Sequence, residues 1–177
     1  MKNYLKLSIL VLFTIISTSY QGISEEFIFE GEEIEILNEG KKLVSKKGVK
    51  IKTDDKTEII ADEFEYDKVK NELLLKGNIL IENSNEKTLI RSNKIKYFKT
   101  LGKIITYGDT QINIDNNFVI DTKDAVILKK EGTLSSSKNT TIKDKYQNKF
   151  KTEEFMFFIR DEVLKAKNVE LVDNQGN

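Results

Sequence analysis

The 177-residue sequence contains no cysteine, histidine, tryptophan or proline. Without cysteine and histidine, it has no thiolate nucleophile, no imidazole base and none of the commonest transition-metal ligands. Lys+Arg and Asp+Glu number 29 each, so no excess of positive charge is available for the phosphate contacts that nucleic-acid binding requires. No glycine-rich phosphate loop appears either. We therefore expect no enzyme, no metal or other cofactor, and no nucleic-acid partner.

The first 24 residues differ in composition from the remainder of the chain. Lys2 and Lys6 precede an apolar run over residues 7–16, and the small residues Gly22 and Ser24 follow it. This order is typical of a secretory signal peptide, with cleavage predicted after Ser24. The alternative is an uncleaved anchor, although the run is shorter than the roughly 20 residues that a membrane-spanning helix needs.

Residues 25–177 repeat one pattern of eight residues: apolar, any, small, polar, any, apolar, any, apolar. Five copies, separated by 30, 31, 30 and 30 residues, begin at Phe29, Ile59, Ile90, Ile120 and Phe150. A second apolar series has the same spacing and comprises Leu43, Leu73, Ile104, Leu134 and Leu164. Turn-like stretches precede the members of this second series. Each repeat is therefore predicted to form two strands joined by a turn.

The strands are predicted to bend near their middle. Apolar and polar residues alternate along each strand, but the alternation shifts between Ile59 and Ala61 on one side and Phe64 and Tyr66 on the other. A bend or bulge next to the small residue restores a single apolar face. Matching bends on the returning strands are predicted at the glycines Gly48, Gly77 and Gly108.

These features predict an all-β protein, an elongated, folded-over antiparallel β-jelly roll of about ten strands built from 30-residue hairpin repeats. Its two bent leaves face each other, and the apolar residues between them form either a filled core or a groove. A sixth unit begins at Asn168 and stops short. Either the domain ends in an unpaired edge or the natural polypeptide continues.

The sequence IIADEFEYD followed by LLLKGNILIEN resembles the OstA-like domains of the lipopolysaccharide transport system. The resemblance covers roughly residues 27 to 172. The matching residues are Ala61, Asp62, Tyr66, Asp67, Gly77, Asn78 and Ile79, with looser matches at Ser92, Asn93, Tyr97 and Gly108. Two members of the family fit such a chain, the free-standing periplasmic bridge protein and the amino-terminal domain of the outer-membrane assembly protein. The cysteines that many assembly proteins carry are absent here.

The resemblance implies lipopolysaccharide transport in the periplasm, in association with the outer-membrane assembly machinery and without catalysis. It also implies that acyl chains occupy an apolar slot and that related jelly-roll domains join edge to edge. The predicted slot lining consists of apolar residues from three octads and two returning strands: Phe64, Tyr66, Ile79, Ile81, Ile95, Tyr97, Ile112, Ile114, Phe155 and Phe157. The alternative is that these residues are simply core. The protein would then be an exported β-repeat structural or adhesive module that binds protein through its sheet edges.

Two groups of charged residues have both a functional and an ordinary interpretation. Asp62, Glu63, Glu65 and Asp67 cluster as acid/base pairs do, but Glu63 and Glu65 are predicted on the face opposite Phe64, as a solvated surface. Lysine pairs in predicted turns, including Lys129-Lys130, either contact lipid phosphates as point charges or serve solubility and block edge pairing.

Overall fold

The computed structural model describes residues 26–172, which form an antiparallel β structure. The predicted signal peptide and its cleavage site lie outside the described residues. Within this range the chain runs back and forth as ten arms, and eight of these are interrupted by a bend, so that eighteen strands result. The prediction of an all-β fold with about ten folded-over antiparallel strands is confirmed, and each predicted strand corresponds to one arm. In the same range, no helical segment has the length and hydropathy needed to cross a membrane.

The bends divide the sheet into two leaves. In leaf A the strands pair in the order β1 (Phe27–Glu30), β4 (Val49–Thr53), β5 (Thr57–Ala61), the second half of β7 (Glu72–Asn83), the first half of β8 (Thr88–Phe98), β10 (Asp109–Ile114), β11 (Phe118–Lys123), β14 (Thr140–Asp144), β15 (Lys149–Thr152) and β18 (Glu170–Val172). In leaf B the order is β2 (Glu35–Leu37), β3 (Lys42–Ser45), β6 (Glu63–Asp67), the first half of β7, the second half of β8, β9 (Lys103–Thr106), β12 (Val126–Leu128), β13 (Thr133–Ser136), β16 (Glu154–Phe158) and β17 (Val163–Lys167).

One bend, in β7, involves the residues Asp62, Gly77 and Asn78 on which the family resemblance rests. Gly77 and Asn78 both have positive φ, and the β7–β8 register shifts between Lys76 and Ile79, so β7 bulges at this point. Asp62 N–H donates to Gly77 O, and Asn78 Nδ2 donates to the Asp62 carboxylate over 2.8 Å. A Cβ on Gly77 would overlap the Asp62 side chain, including its Cβ, so the close approach requires glycine. These residues therefore have a structural role in the bend.

The crease between the leaves is lined by buried hydroxyl groups. Thr110 donates to Thr106 over 2.7 Å, and the Thr122 and Thr140 hydroxyls are 2.6 Å apart. The remaining buried hydroxyls of the crease belong to Ser45, Ser92, Ser136 and Thr152. Among the described residues, every buried side-chain nitrogen and oxygen has a hydrogen-bond partner. Hydroxyls next to a bend can satisfy backbone groups that the interrupted ladder leaves without a strand partner.

The core lies between the leaves and follows the predicted alternation. Leu73 and Leu75 are completely buried, and the intervening Leu74 faces outward. The outer face is covered by cross-strand pairs of lysine with glutamate, such as Lys50–Glu58 at 2.8 Å. Burying one such leucine or isoleucine contributes roughly 1.5–3 kcal/mol, so the inward faces supply the main force that holds the leaves together.

Candidate functional site

All ten residues predicted to line the slot lie between the leaves and belong to one buried cluster. Leaf A contributes four of them, namely Ile79, Ile81, Ile112 and Ile114. Leaf B contributes the other six, which are Phe64, Tyr66, Ile95, Tyr97, Phe155 and Phe157. The structure therefore brings the predicted set together in a single apolar interior.

Side chains fill most of the interior in this structure. Below the hairpin tips, where the two leaves meet opposite the crease, a cavity of about 30 Å³ remains. A cavity of this size holds about one or two water molecules. Its walls come from both leaves and comprise Thr57, Ile81, Asn83, Glu86, Thr88, Ile90 and Ile112 on one side and Ile104, Ile127, Lys129, Leu134 and Ile159 on the other. An acyl chain can enter here only if the leaves separate.

Aromatic side chains connect the leaves near the first strand. The Phe27 ring of leaf A lies 5.4 Å from the Tyr66 ring and 5.6 Å from the Tyr97 ring, both in leaf B. Phe29 stacks on Phe64 with 5.0 Å between the ring centroids. Each such pair adds about 0.5–1.5 kcal/mol beyond the burial of its area. Sequence reasoning missed Phe27, although it lies two residues before the first octad, on the same strand face as Phe29.

An ion pair spans the gap between the hairpin tips, which we call the mouth. Lys129 follows β12 of leaf B, and its Nζ lies 2.7 Å from Oδ2 of Asp55 in the β4–β5 turn of leaf A. Lys129 Nζ also donates to the Tyr97 hydroxyl over 3.1 Å and lies over the Tyr97 ring. The lysine pair at this turn was singled out from the sequence, but its cross-leaf carboxylate partner was not.

The Asp55 carboxylate also accepts hydrogen bonds from its own leaf. Its donors are the Thr53 hydroxyl, the Thr57 N–H at 3.2 Å and Asn83 Nδ2 at 3.4 Å. Partial burial by itself raises the pKa of Asp55. The hydrogen bonds from Lys129, Thr53 and Thr57 and the positive charge of Lys129 outweigh burial and lower the pKa from 3.8 to about 2. Asp55 is therefore ionised at neutral pH.

The acidic cluster around residue 63 does not form an acid/base site. Glu63 and Glu65 face away from the interior, as predicted, and Glu65 pairs with Lys42 at 2.8 Å. Asp67 accepts hydrogen bonds from the Val69 and Lys70 N–H groups of the following turn, and these bonds lower its pKa. In the part of the chain that the structure describes, no three carboxylates are grouped so that they could hold a metal ion.

The solved structures that are similar to this chain include that of LptH. LptH is described as the LptA homologous periplasmic component of the lipopolysaccharide transport device from Pseudomonas aeruginosa. The solved structure of LptH is similar to this chain. The two are 11% identical with a TM-score of 0.48, and the match covers 84% of this chain and 94% of LptH. No protein-family model and no curated protein sequence matches this chain.

Proposed function

We propose that this protein is a periplasmic component of lipopolysaccharide transport and outer-membrane assembly, which holds lipid acyl chains between its leaves and joins related domains edge to edge. The observation that carries the proposal is a single apolar interior that both leaves line and that extends across all ten arms. A folded-over sheet differs from a closed barrel because its two leaves can separate along the mouth without loss of ladder hydrogen bonds. Acyl chains would replace contacts between the leaves, and each buried methylene contributes roughly 0.8 kcal/mol.

The strand edges support the second half of the proposal. In the described residues, β1 and β2 each pair on one side, and so do β17 and β18 at the opposite end. Ile36 of β2 occupies the same octad position as the buried Tyr66 and Phe157, yet it is 68% exposed. An added strand would cover it. Exposed strand edges of this kind are common sites of strand addition.

The internal register predicts how a second jelly roll would continue the sheet. Leu134 pairs with Phe157, and Ser135 pairs with Met156. Leu164 and Lys165 lie one repeat after Leu134 and Ser135, and Ile36 and Glu35 have the octad positions of Phe157 and Met156. If a second domain with the same first repeat follows in this register, its Ile36 lies opposite Leu164 and its Glu35 lies opposite Lys165. Lys165 and Glu35 are both exposed on the outer face, so the junction would gain an apolar pair inside and a pair of opposite charges outside.

One observation favours the alternative of a structural or adhesive module. The interior is packed with side chains, and its cavity of about 30 Å³ is too small for an acyl chain. In that alternative the packed interior is only a core, and function resides in the edges. The two proposals therefore differ in whether the interior ever contacts lipid.

Site-specific photo-crosslinking distinguishes them. A photoreactive amino acid replaces Tyr97, which faces the interior, or the adjacent Lys96, which faces outward and pairs with Glu72. In cells that make lipopolysaccharide, we expect a lipid adduct at Tyr97 and none at Lys96. Absence of a lipid adduct at Tyr97, Phe64 and Ile81 in folded, exported protein would reject the transport proposal. Protein adducts from Ile36 in the same cells would then support the module.

A further inference from the structure

We propose that Lys129 binds the anionic headgroup of an amphiphile whose acyl chain enters between the leaves. Until that ligand binds, Asp55 forms the ion pair with Lys129. This inference rests on the proposed function and names the recognition residue. Lys129 lies at the mouth and also lines the apolar cavity below it.

Lys129 is a partly buried cation at an apolar entrance. Its side chain is 16% exposed, whereas its neighbour Lys130 is exposed and donates to the Thr100 carbonyl on the surface. Lys129 lines the cavity together with Ile104, Ile127 and Leu134. An ammonium group above an apolar cavity matches a ligand that has an anion at one end and a hydrocarbon chain at the other.

The ion pair is built as an exchangeable contact. Asp55 is held by Thr53, Thr57 and Asn83, which all belong to leaf A. Lys129 is held by the hydroxyl and ring of Tyr97, which belongs to leaf B. Each partner keeps these contacts with its own leaf when the leaves separate, whereas the bond between Lys129 and Asp55 is broken. A phosphate or carboxylate on the ligand restores a charge-assisted hydrogen bond to Lys129 at that point.

Other contacts across the mouth are weaker. Asn117 of the β10–β11 turn donates to Glu162 of the β16–β17 turn over 3.3 Å; Asn117 is half-buried, Glu162 is exposed, and the hydrogen bond lies at the surface. An exposed hydrogen bond of this kind contributes little to holding the leaves together. The Lys129–Asp55 pair is therefore the principal polar contact that an entering headgroup has to replace among the described mouth residues.

Two detergents with the same dodecyl chain but different headgroups distinguish headgroup recognition from binding of the alkyl chain. Dodecyl phosphate and dodecyl maltoside, each below its micelle concentration, are titrated into the full exported domain and into K129Q, D55N and K96Q variants. Lys96 is the matched control, since it has a carboxylate partner, Glu72, and lies over the Phe98 ring, but on the outer face of leaf B. Circular dichroism establishes that each variant is folded.

We expect K129Q to weaken dodecyl phosphate binding about tenfold, as loss of one charge-assisted hydrogen bond implies, and to leave dodecyl maltoside nearly unchanged. D55N should strengthen dodecyl phosphate binding roughly threefold or more, because the competing carboxylate is gone. K96Q should alter neither affinity. Inorganic phosphate at concentrations equal to the probe should not displace it.

Three results would overturn the proposal. Equal effects of K129Q on both probes would mean that the ion pair only holds the leaves closed. Displacement of dodecyl phosphate by equimolar inorganic phosphate would mean a site for a free anion. If neither probe binds the wild-type domain or any variant, the proposed lipid-carrying function fails as well, whereas the first two results leave that function standing.

Discussion

Lys129 Nζ and Asp55 Oδ2 lie 2.7 Å apart, although the two residues belong to different leaves of the folded sheet. The ion pair also affects stability. The pKa of Asp55 is about 2 in the folded protein, compared with about 4 for an aspartate in an unfolded chain. Because the folded-state pKa is the lower of the two, the ionised carboxylate stabilises the fold. The stabilisation is fully present above about pH 4 and is lost as the pH falls toward 2.

We predict that the free energy of unfolding of the wild-type domain decreases between pH 5 and pH 2 by about 1 kcal/mol more than that of D55N. This figure includes a reduction for solvent screening, since the Asp55 side chain is 36% exposed. Urea unfolding at a series of pH values measures the difference. D161N, which removes an exposed carboxylate of the β16–β17 turn, is the control for the change in net charge. Parallel pH profiles for wild type and D55N would contradict the assigned role of the ion pair.

Adjacent leucines of β7 test which face is the core. Leu75 is fully buried, whereas Leu74 faces outward. We expect Leu75→Ala to lower the free energy of unfolding by about 3 kcal/mol, because it removes buried methylenes and leaves a cavity. Leu74→Ala should lower the free energy of unfolding by less than about 1 kcal/mol. Chemical denaturation of both variants checks this prediction, and similar losses for the two would mean that the strand register is wrong.

The bulge at Gly77 provides a test of the bend. Gly77→Ala places a side chain at a residue with positive φ, where it clashes with Asp62. We expect it to lower the free energy of unfolding by about 3 kcal/mol. Gly108→Ala is the matched control at the corresponding bend of the next repeat. There φ is also positive, but a Cβ would meet no atom within 4 Å, so we expect a loss of about 1 kcal/mol. Equal losses in thermal or urea unfolding would show that contact with Asp62 contributes nothing to the glycine requirement.

Charge reversal tests the proposed junction between domains. If Lys165 of one domain faces Glu35 of the next, the Lys165→Glu variant should weaken self-association about threefold to tenfold at low salt. The double variant Lys165→Glu with Glu35→Lys should restore it, because opposite charges face each other again. Analytical ultracentrifugation measures the association. Lys143→Glu, in β14 away from both edges, is the control. Failure of the double variant to recover would reject this register.

The agreement between the repeat pattern and the fold has a local cause. Alternation in a strand assigns each side chain to one face, and the shift between Ala61 and Phe64 requires a bend whatever the strand pairs with. The sequence therefore predicted the ten inward residues and the outward Glu63 and Glu65. It also predicted the glycine bends, because φ at Gly77 is a property of the backbone at that residue.

The contacts between the leaves depended on the tertiary structure. Phe27 contacts Tyr97, and Asp55 contacts Lys129. The partners in each pair are about 70 residues apart in the sequence, so no local pattern predicts that they meet. Which residues meet is decided by the angle at which the leaves cross, and this angle results from the twist accumulated over all ten arms. The sequence alone determined the repeat, the bends and the inward faces. The closeness of the leaves, the filled interior and the ion pair at the mouth were decided only when those faces packed against each other.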